Sequence, residues 1–441
     1  MEMTNQPHPV DEMLPFGKLL AYGLQHVLAM YAGAVAVPLM VAHGLGLAQG
    51  QLIYLISADL FTCGIATLIQ TIGIGKIGIR IPIIQGVAFA AVTPMILIGQ
   101  KQGLTGIYGS IIVAGIVTFL ISPYFSRLLR FFPPVVTGTI ITIIGLTLMP
   151  VAVRWAGGGD PSAADFASGS HIMLALITLS LVVVFYRYCT GFLSNIAVLL
   201  GLIAGTLLAI PFGMVNFSQL STAGWVGITT PFAFGLPTFD VAAIAAMVLV
   251  MLVAMSETTG NCIAVGEIIG KPVTQEALTR GLRADGFSTV LGGILNSFPY
   301  TAFAQNVGLV GLTRIKSRFV VAAAGVILVA LGLFPKMAAV IAAIPTPVLG
   351  GAGIAMFGMV MANGIKTLGK VQFEGTHNIM VIAISLGVGM ITLAEPKFYH
   401  QFPRWTQIML NSGITAGSIA GVILNALLNR TSGRIQEPAK S

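Results

Sequence analysis

Long apolar runs separated by short polar or basic loops fill most of this chain. An apolar run of about 20 residues is long enough to cross a bilayer as a helix. The pattern predicts fourteen spans, near 17–41, 51–73, 83–99, 105–122, 134–152, 171–187, 194–212, 240–263, 285–297, 300–313, 318–334, 339–363, 375–393 and 406–428. Several are too short for a simple helix, the third and tenth most clearly. The stretch from Phe298 to Arg314 is broken by Pro299, Gly308 and Gly311 and carries Gln305 and Asn306 at its centre. Backbone that is not fully helical is tolerated at membrane depth only where it is buried in protein or lines a cavity. A short, interrupted span with polar side chains therefore points to the binding site of a secondary transporter.

The two halves of the chain echo each other. Ala58-Asp59-Leu60-Phe61 resembles Ala284-Asp285-Gly286-Phe287 at an offset of 226, and Ala88-Phe89-Ala90 matches Ala302-Phe303-Ala304 at 214. Pro134 to Gly138 resembles Pro347 to Gly351 at 213. Each match is weak, but the three fall in order with similar offsets. Seven spans is an odd number, so a second copy enters the membrane upside down. Such inverted repeats place a site near the midplane, where corresponding broken segments meet. Spans 3 and 10 are those segments. Each is expected to begin as a short strand and finish as a half-helix, with its positive N-terminal end toward a ligand.

Composition sets the class. Charged residues are 8% of 441, against about 25% in a soluble domain. Hydrophobic residues are 56% and mean hydropathy is +0.93. This is the make-up of an all-α polytopic membrane protein. Cys63, Cys189, Cys262 and the six His show no ligand spacing, so neither a metal nor an organic cofactor is expected. The net charge of +8 needs no nucleic acid, because basic residues of membrane proteins collect in cytoplasmic loops. With the N-terminus inside, 17 of the 22 Lys and Arg fall in cytoplasmic segments; Lys101, Arg154, Lys336, Lys397 and Arg404 fall outside. Both termini are then cytoplasmic. Residues 1–13 lack the features of a signal peptide.

Few ionisable side chains lie inside the spans, where charge is expensive and functional by default. Glu257 is deep in span 8 with no basic neighbour one turn away. It reads as a ligand-binding carboxylate that can also carry a proton, or as a hydrogen-bond hub between helices. Asp285 opens span 9 and reads as a helix cap or a functional group; Asp59 is its repeat counterpart. His26 lies in span 1 beside Gln25, as a core histidine or part of the site. Gln305 both donates and accepts, and so can read an amide-like edge; Asn306 can do the same or brace the broken backbone. Phe89 and Phe303 can stack on a flat ring or simply fill the core. A carboxylate, an amide and aromatic walls suit a planar heterocycle with N–H and C=O groups. An inorganic anion fits poorly, since no Arg or Lys belongs to that set. An intramembrane enzyme would need a nucleophile or metal cluster, and none is spaced for it.

These residues resemble a known pattern. The run from Gln305 to Arg314 matches the Q-N-x-G-x-x-x-x-T-[R/K/G] signature of the nucleobase–ascorbate transporter family, and Gln25-His26 resembles its first-span Q-H. Glu257 and Asp285 fall where the family has its span 8 Glu and span 9 Asp. The likeness covers nearly the whole chain and is greatest to bacterial xanthine and uric acid permeases. It implies fourteen spans as a seven-plus-seven inverted repeat in the bacterial inner membrane. A core domain would hold 17–122 and 240–334, and a gate domain 123–239 and 335–428, between cytoplasmic tails 1–16 and 429–441. It implies a homodimer through the gate domains and proton-coupled purine import by an elevator-like movement. Glu257 and Gln305 would hold the purine, with backbone at Ala88, Phe89 and Ala304. Asn261 stands where relatives often carry an ionisable Asp or His, which leaves Glu257 as the main proton-coupling candidate. The alternatives are a symporter for uracil, guanine or hypoxanthine, and an anion exchanger of the same architecture.

Overall fold

A computed structural model describes residues 8–374 and 377–429. The expected tails therefore lie outside the described residues at 1–7 and 430–441. Helices α1 Phe16–Gly44 and α2 Gln49–Ile72 come first. Strand β1 Gln85–Val87 leads through one tight turn into α3 Val92–Ile121. Next come α4 Phe125–Leu128, α5 Pro134–Ala156, α6 Gly169–Tyr188, α7 Phe192–Asn195, α8 Ala197–Ala209 and α9 Ser218–Thr222. The second half holds α10 Val241–Ile269, α11 Gln275–Ile294, β2 Tyr300–Ala302, α12 Ala304–Thr313 and α13 Arg318–Gly332. The chain then forms α14 Pro335–Ala342, α15 Thr346–Leu368, α16 Asn378–Ala394, α17 Arg404–Leu410 and α18 Gly413–Leu428.

Among the described residues, seven helices are long and apolar enough to cross a membrane, or eight if the bent pair α13–α14 is one span. Helices α8, α16 and α18 are apolar but shorter. Helix α3 is broken at Gly103, whose φ of 70° is open to glycine and strained for other residues. That break falls between the third and fourth apolar runs.

Two boundaries differ from the sequence reading. Span 9 was expected at 285–297, but α11 starts at Gln275 and is capped by the Thr274 side chain. The helix begins among charged residues, where hydropathy is blind to it. Asp285 is therefore a mid-helix residue, not a cap. The run 339–363 is two helices, α14 and α15, because Pro345 and Pro347 fit a helix start and not its interior.

Strands β1 and β2 pair antiparallel, with Gln85 opposite Ala302, Gly86 opposite Thr301 and Val87 opposite Tyr300. The ladder continues outward as the Ala88 N–H donates to Pro299 and the Phe303 N–H to Ile84. A twofold through the Gly86–Thr301 pair exchanges Gln85 with Tyr300, and Ala88 with Phe303. Ala88 and Phe303 are also the caps of the two segments that follow, with near-identical dihedrals. The structural offset at the strands is thus 215, one more than the letters suggested. The ladder is set by hydrogen bonds, while the Ala-Phe-Ala match rests on common residue types. Phe89 and Phe303 are accordingly not equivalents.

Helix packing falls into two sets. Helix α2 lies against α13, α3 against α11 and α10, and α1 against α13. Separately, α5 lies against α15, α6 against α8 and α15, and α16 against α18. Small residues allow the close approaches, as membrane helices gain little from burying apolar side chains against each other. A Cβ on Gly64 or Gly325 would meet the opposite glycine, and so would one on Gly115 or Gly286.

Candidate functional site

The strand pair is held by side chains of α10 and α11. The Thr258 hydroxyl is 2.9 Å from that of Thr301 and accepts the Ala302 N–H at 3.0 Å. Asn261 donates to the Ala302 carbonyl at 2.9 Å, and the Tyr300 N–H donates to Thr289. Two buried carboxylates complete the support. Asp59 accepts from the Ser297 hydroxyl at 2.8 Å and the Tyr300 hydroxyl at 2.9 Å. Asp285 accepts from the Gln70 amide at 3.2 Å and lies close to Thr258 and the Gln85 side chain. Tyr300, the first residue of β2, thus reaches the aspartate of the opposite half, while the buried Gln85 side chain lies near Asp285 with neither of its amide atoms hydrogen-bonded.

Beside this scaffold lies a cavity of about 660 Å³, large enough for a bicyclic ring with water around it. One side carries Phe89, Glu257, Asn261, Phe303, Ala304 and Gln305; the other is formed by α5 and α15. Glu257 and Gln305 have no hydrogen-bond partner within the chain among the described residues. Gln305 is exposed and Glu257 half-buried. Gly260 and Gly308 also border the cavity, and a Cβ on either would meet nothing within 4 Å. The rings of Phe89 and Phe303 are 6.2 Å apart and tilted by 35°. Phe303 is 3% exposed, so the half-buried Phe89 offers the freer aromatic face.

The other candidates sit behind this surface. Asn306 donates to the His26 carbonyl at 2.9 Å and lies 3.1 Å from its Nδ1. This pair ties α12 to α1 and does not border the cavity. Asp285 is fully buried and supports the strands. Ala88 is fully buried and its N–H is taken by Pro299, so it does not line the cavity as expected. Asn261 does line it, yet its amide nitrogen is committed to the strand. Sequence reasoning missed Gln85, Thr258 and Thr301. The available signal for Gln85 was a lone amide inside an apolar run; Thr258 and Thr301 look like ordinary helix and strand residues. Among the described residues no group of His, Cys, Asp and Glu is placed to hold a metal.

The family model Xan_ur_permease, a permease family, matches residues 17–398. The xanthine permease of Bacillus subtilis (strain 168) is 47% identical over 94% of this chain and 94% of its own length. The uric acid transporter UacT of Escherichia coli (strain K12) is also 47% identical, over 97% of this chain and 90% of its own. Among solved structures, the transmembrane domain of the cyanobacterial bicarbonate transporter BicA superposes with a TM-score of 0.62. It covers 94% of this chain and 100% of its own at 15% identity, a likeness of fold alone. The matches show a membrane transporter and not an enzyme, and the chain belongs to the nucleobase–ascorbate transporter family of permeases.

Proposed function

We propose that this protein imports an oxidised purine, xanthine or uric acid, together with protons. The carrying observation is the pairing of an unpartnered carboxylate, Glu257, with an unpartnered amide, Gln305, on one cavity beside Phe89. A purine dione presents alternating N–H and C=O groups on a flat ring. Glu257 accepts from ring N–H groups, Gln305 answers a C=O and N–H pair, and Phe89 stacks on the face. The names of the two 47% identical relatives support the same substrate class.

Fourteen crossings follow if each short strand and its half-helix counts as one. Ten residues of α12 rise about 15 Å and three strand residues add about 10 Å, together close to the hydrocarbon thickness of about 30 Å. The packing supports a seven-plus-seven inverted repeat, since span 2 meets span 11 as span 9 meets span 4. The two helix sets supply the core domain and the gate domain. We place both termini in the cytoplasm of a bacterium, on the inner membrane. The cavity then opens inward, toward the helix ends that carry Ile268, Gly311 and Lys370. Transport is an elevator-like slide of the core, carrying Glu257 and Gln305 past the α5–α15 wall. Helix α6 exposes Met173, Leu176, Val183 and Val184, and a second copy through the gate domain would cover them.

Uptake of radiolabelled xanthine, competed by a panel of purines and pyrimidines, tests the substrate. Xanthine and urate should compete best and uracil poorly. Preferential competition by uracil, or exchange of chloride or sulfate instead, would overturn the assignment.

A further inference from the structure

Two lysines border the same cavity as Glu257, and the mechanism above leaves them without a task. Val360, Asn363, Thr367 and Lys370 line the cavity at spacings of three and four, as one helical face does, and Lys366 lies on the same side. Both lysines are exposed, at and just past the end of α15. Among the described residues the ion pairs are His171–Asp165 and Arg318–Asp11, so neither lysine is paired. No other cation lines the cavity, and its one carboxylate is Glu257.

A lysine in the last turn of a helix favours the helix dipole whichever way it faces. That accounts for a charge at the end of α15 but not for two on the cavity side. The cavity runs along α10 from Glu257 to Ile268, a rise of about 16 Å. Glu257 lies mid-way along α10, whereas the lysines stand exposed at and just past the end of α15, so they line different stretches of the cavity.

We infer that Lys366 and Lys370 form a cationic subsite at the mouth of the cavity, which takes purines in their monoanionic form. The inference rests on the purine reading of the deeper site and adds a selection by charge. Successive ring carbonyls make purine N–H groups more acidic, so urate is a monoanion at neutral and mildly acidic pH. Xanthine at mildly acidic pH is largely neutral. Lysines at the mouth raise the local concentration of the anion and hold it before it is released or bound at depth. They give the neutral purine no such help. The subsite also separates the anion from Glu257 until that carboxyl is protonated.

The test is transport of labelled urate and labelled xanthine at mildly acidic pH in proteoliposomes, oriented so that the lysine end faces the substrate. Wild type is compared with Lys366→Gln/Lys370→Gln and Lys366→Arg/Lys370→Arg. The Gln double variant should lower the urate-to-xanthine ratio of kcat/KM about fivefold and flatten the salt dependence of urate transport. The Arg double variant should keep both. An unchanged ratio in the Gln variant, or equal loss for both purines, would overturn the subsite while leaving the purine reading intact. A wild type that moves neither purine would overturn the purine reading, and the subsite with it.

Discussion

The intramembrane polar side chains singled out from the sequence mostly find at least one partner within the chain, although Asp59, Asp285 and Asn306 each keep one buried oxygen without one. Asn306 is held by His26, Asp59 by Ser297 and Tyr300, Asp285 by Gln70 and Asn261 by Ala302. Glu257 and Gln305 have no such partner among the described residues and face open space. An unpaired polar group removed from water costs roughly 1–3 kcal/mol or more, so the half-buried Glu257 is left for water or a ligand, while the exposed Gln305 stays solvated until a ligand displaces its water. Gln305→Glu replaces an N–H donor with an acceptor at an exposed position, which should leave insertion intact. A lost hydrogen bond of this kind is worth roughly tenfold or more in affinity. The expected outcome is normal membrane abundance with xanthine competition weakened by about that factor. An unchanged competition profile across xanthine, urate and uracil would show that Gln305 does not touch the substrate.

At the scale of elements, the strand pair β1–β2, braced by α10 and α11, sets where Phe89, Phe303 and Gln305 stand beside the cavity. Its existence was legible in the sequence, because Pro299 and the glycines break two runs too short to cross as helices. Glu257, Gln305 and Phe89 were legible as polar or flat groups at depth. The support behind them was not. Thr258 and Thr301 are unremarkable letters until the fold sets their hydroxyls together. The cap reading of Asp285, one of the two alternatives, arose because hydropathy starts span 9 only after Arg280 and Arg283, whereas the helix starts earlier. Lys366 and Lys370 entered only as cytoplasmic charge, since their side of α15 depends on what α15 packs against. Gly86 shows how tight the strand pair is: a Cβ there would run into the Phe303 ring. Gly86→Ala should displace that ring, lowering stability by about 1–3 kcal/mol and abolishing uptake. Thermal melting of the detergent-solubilised protein beside an uptake assay checks this. Wild-type melting and uptake would mean that the ring is not held in this register.

For the whole molecule, the proposed mechanism divides the helices into a set that carries the site and a set that walls it. Thr137, Ile141 and Ile144 of α5 face the cavity across from Glu257 and Gln305. If the site-bearing set slides along this wall, residues opposite one another now are not opposite in the other state. A disulfide between a Cys near Phe89 and one on α5 or α15 should form in one transport state only, and should block exchange while purine binding stays measurable. Full-rate exchange by the crosslinked protein would rule out the slide.

The proposed coupling joins these scales, because it would require Glu257, the one carboxylate that lines the cavity, to hold both purine and proton. The most direct test is accumulation of labelled xanthine in proteoliposomes under an imposed pH gradient, acidic on the side of substrate addition. Wild type should concentrate xanthine above equilibrium and lose this on adding a protonophore, while Glu257→Gln should show no gradient-driven accumulation. Proton-driven accumulation by Glu257→Gln at the wild-type level would contradict the assignment of Glu257 and the mechanism built on it.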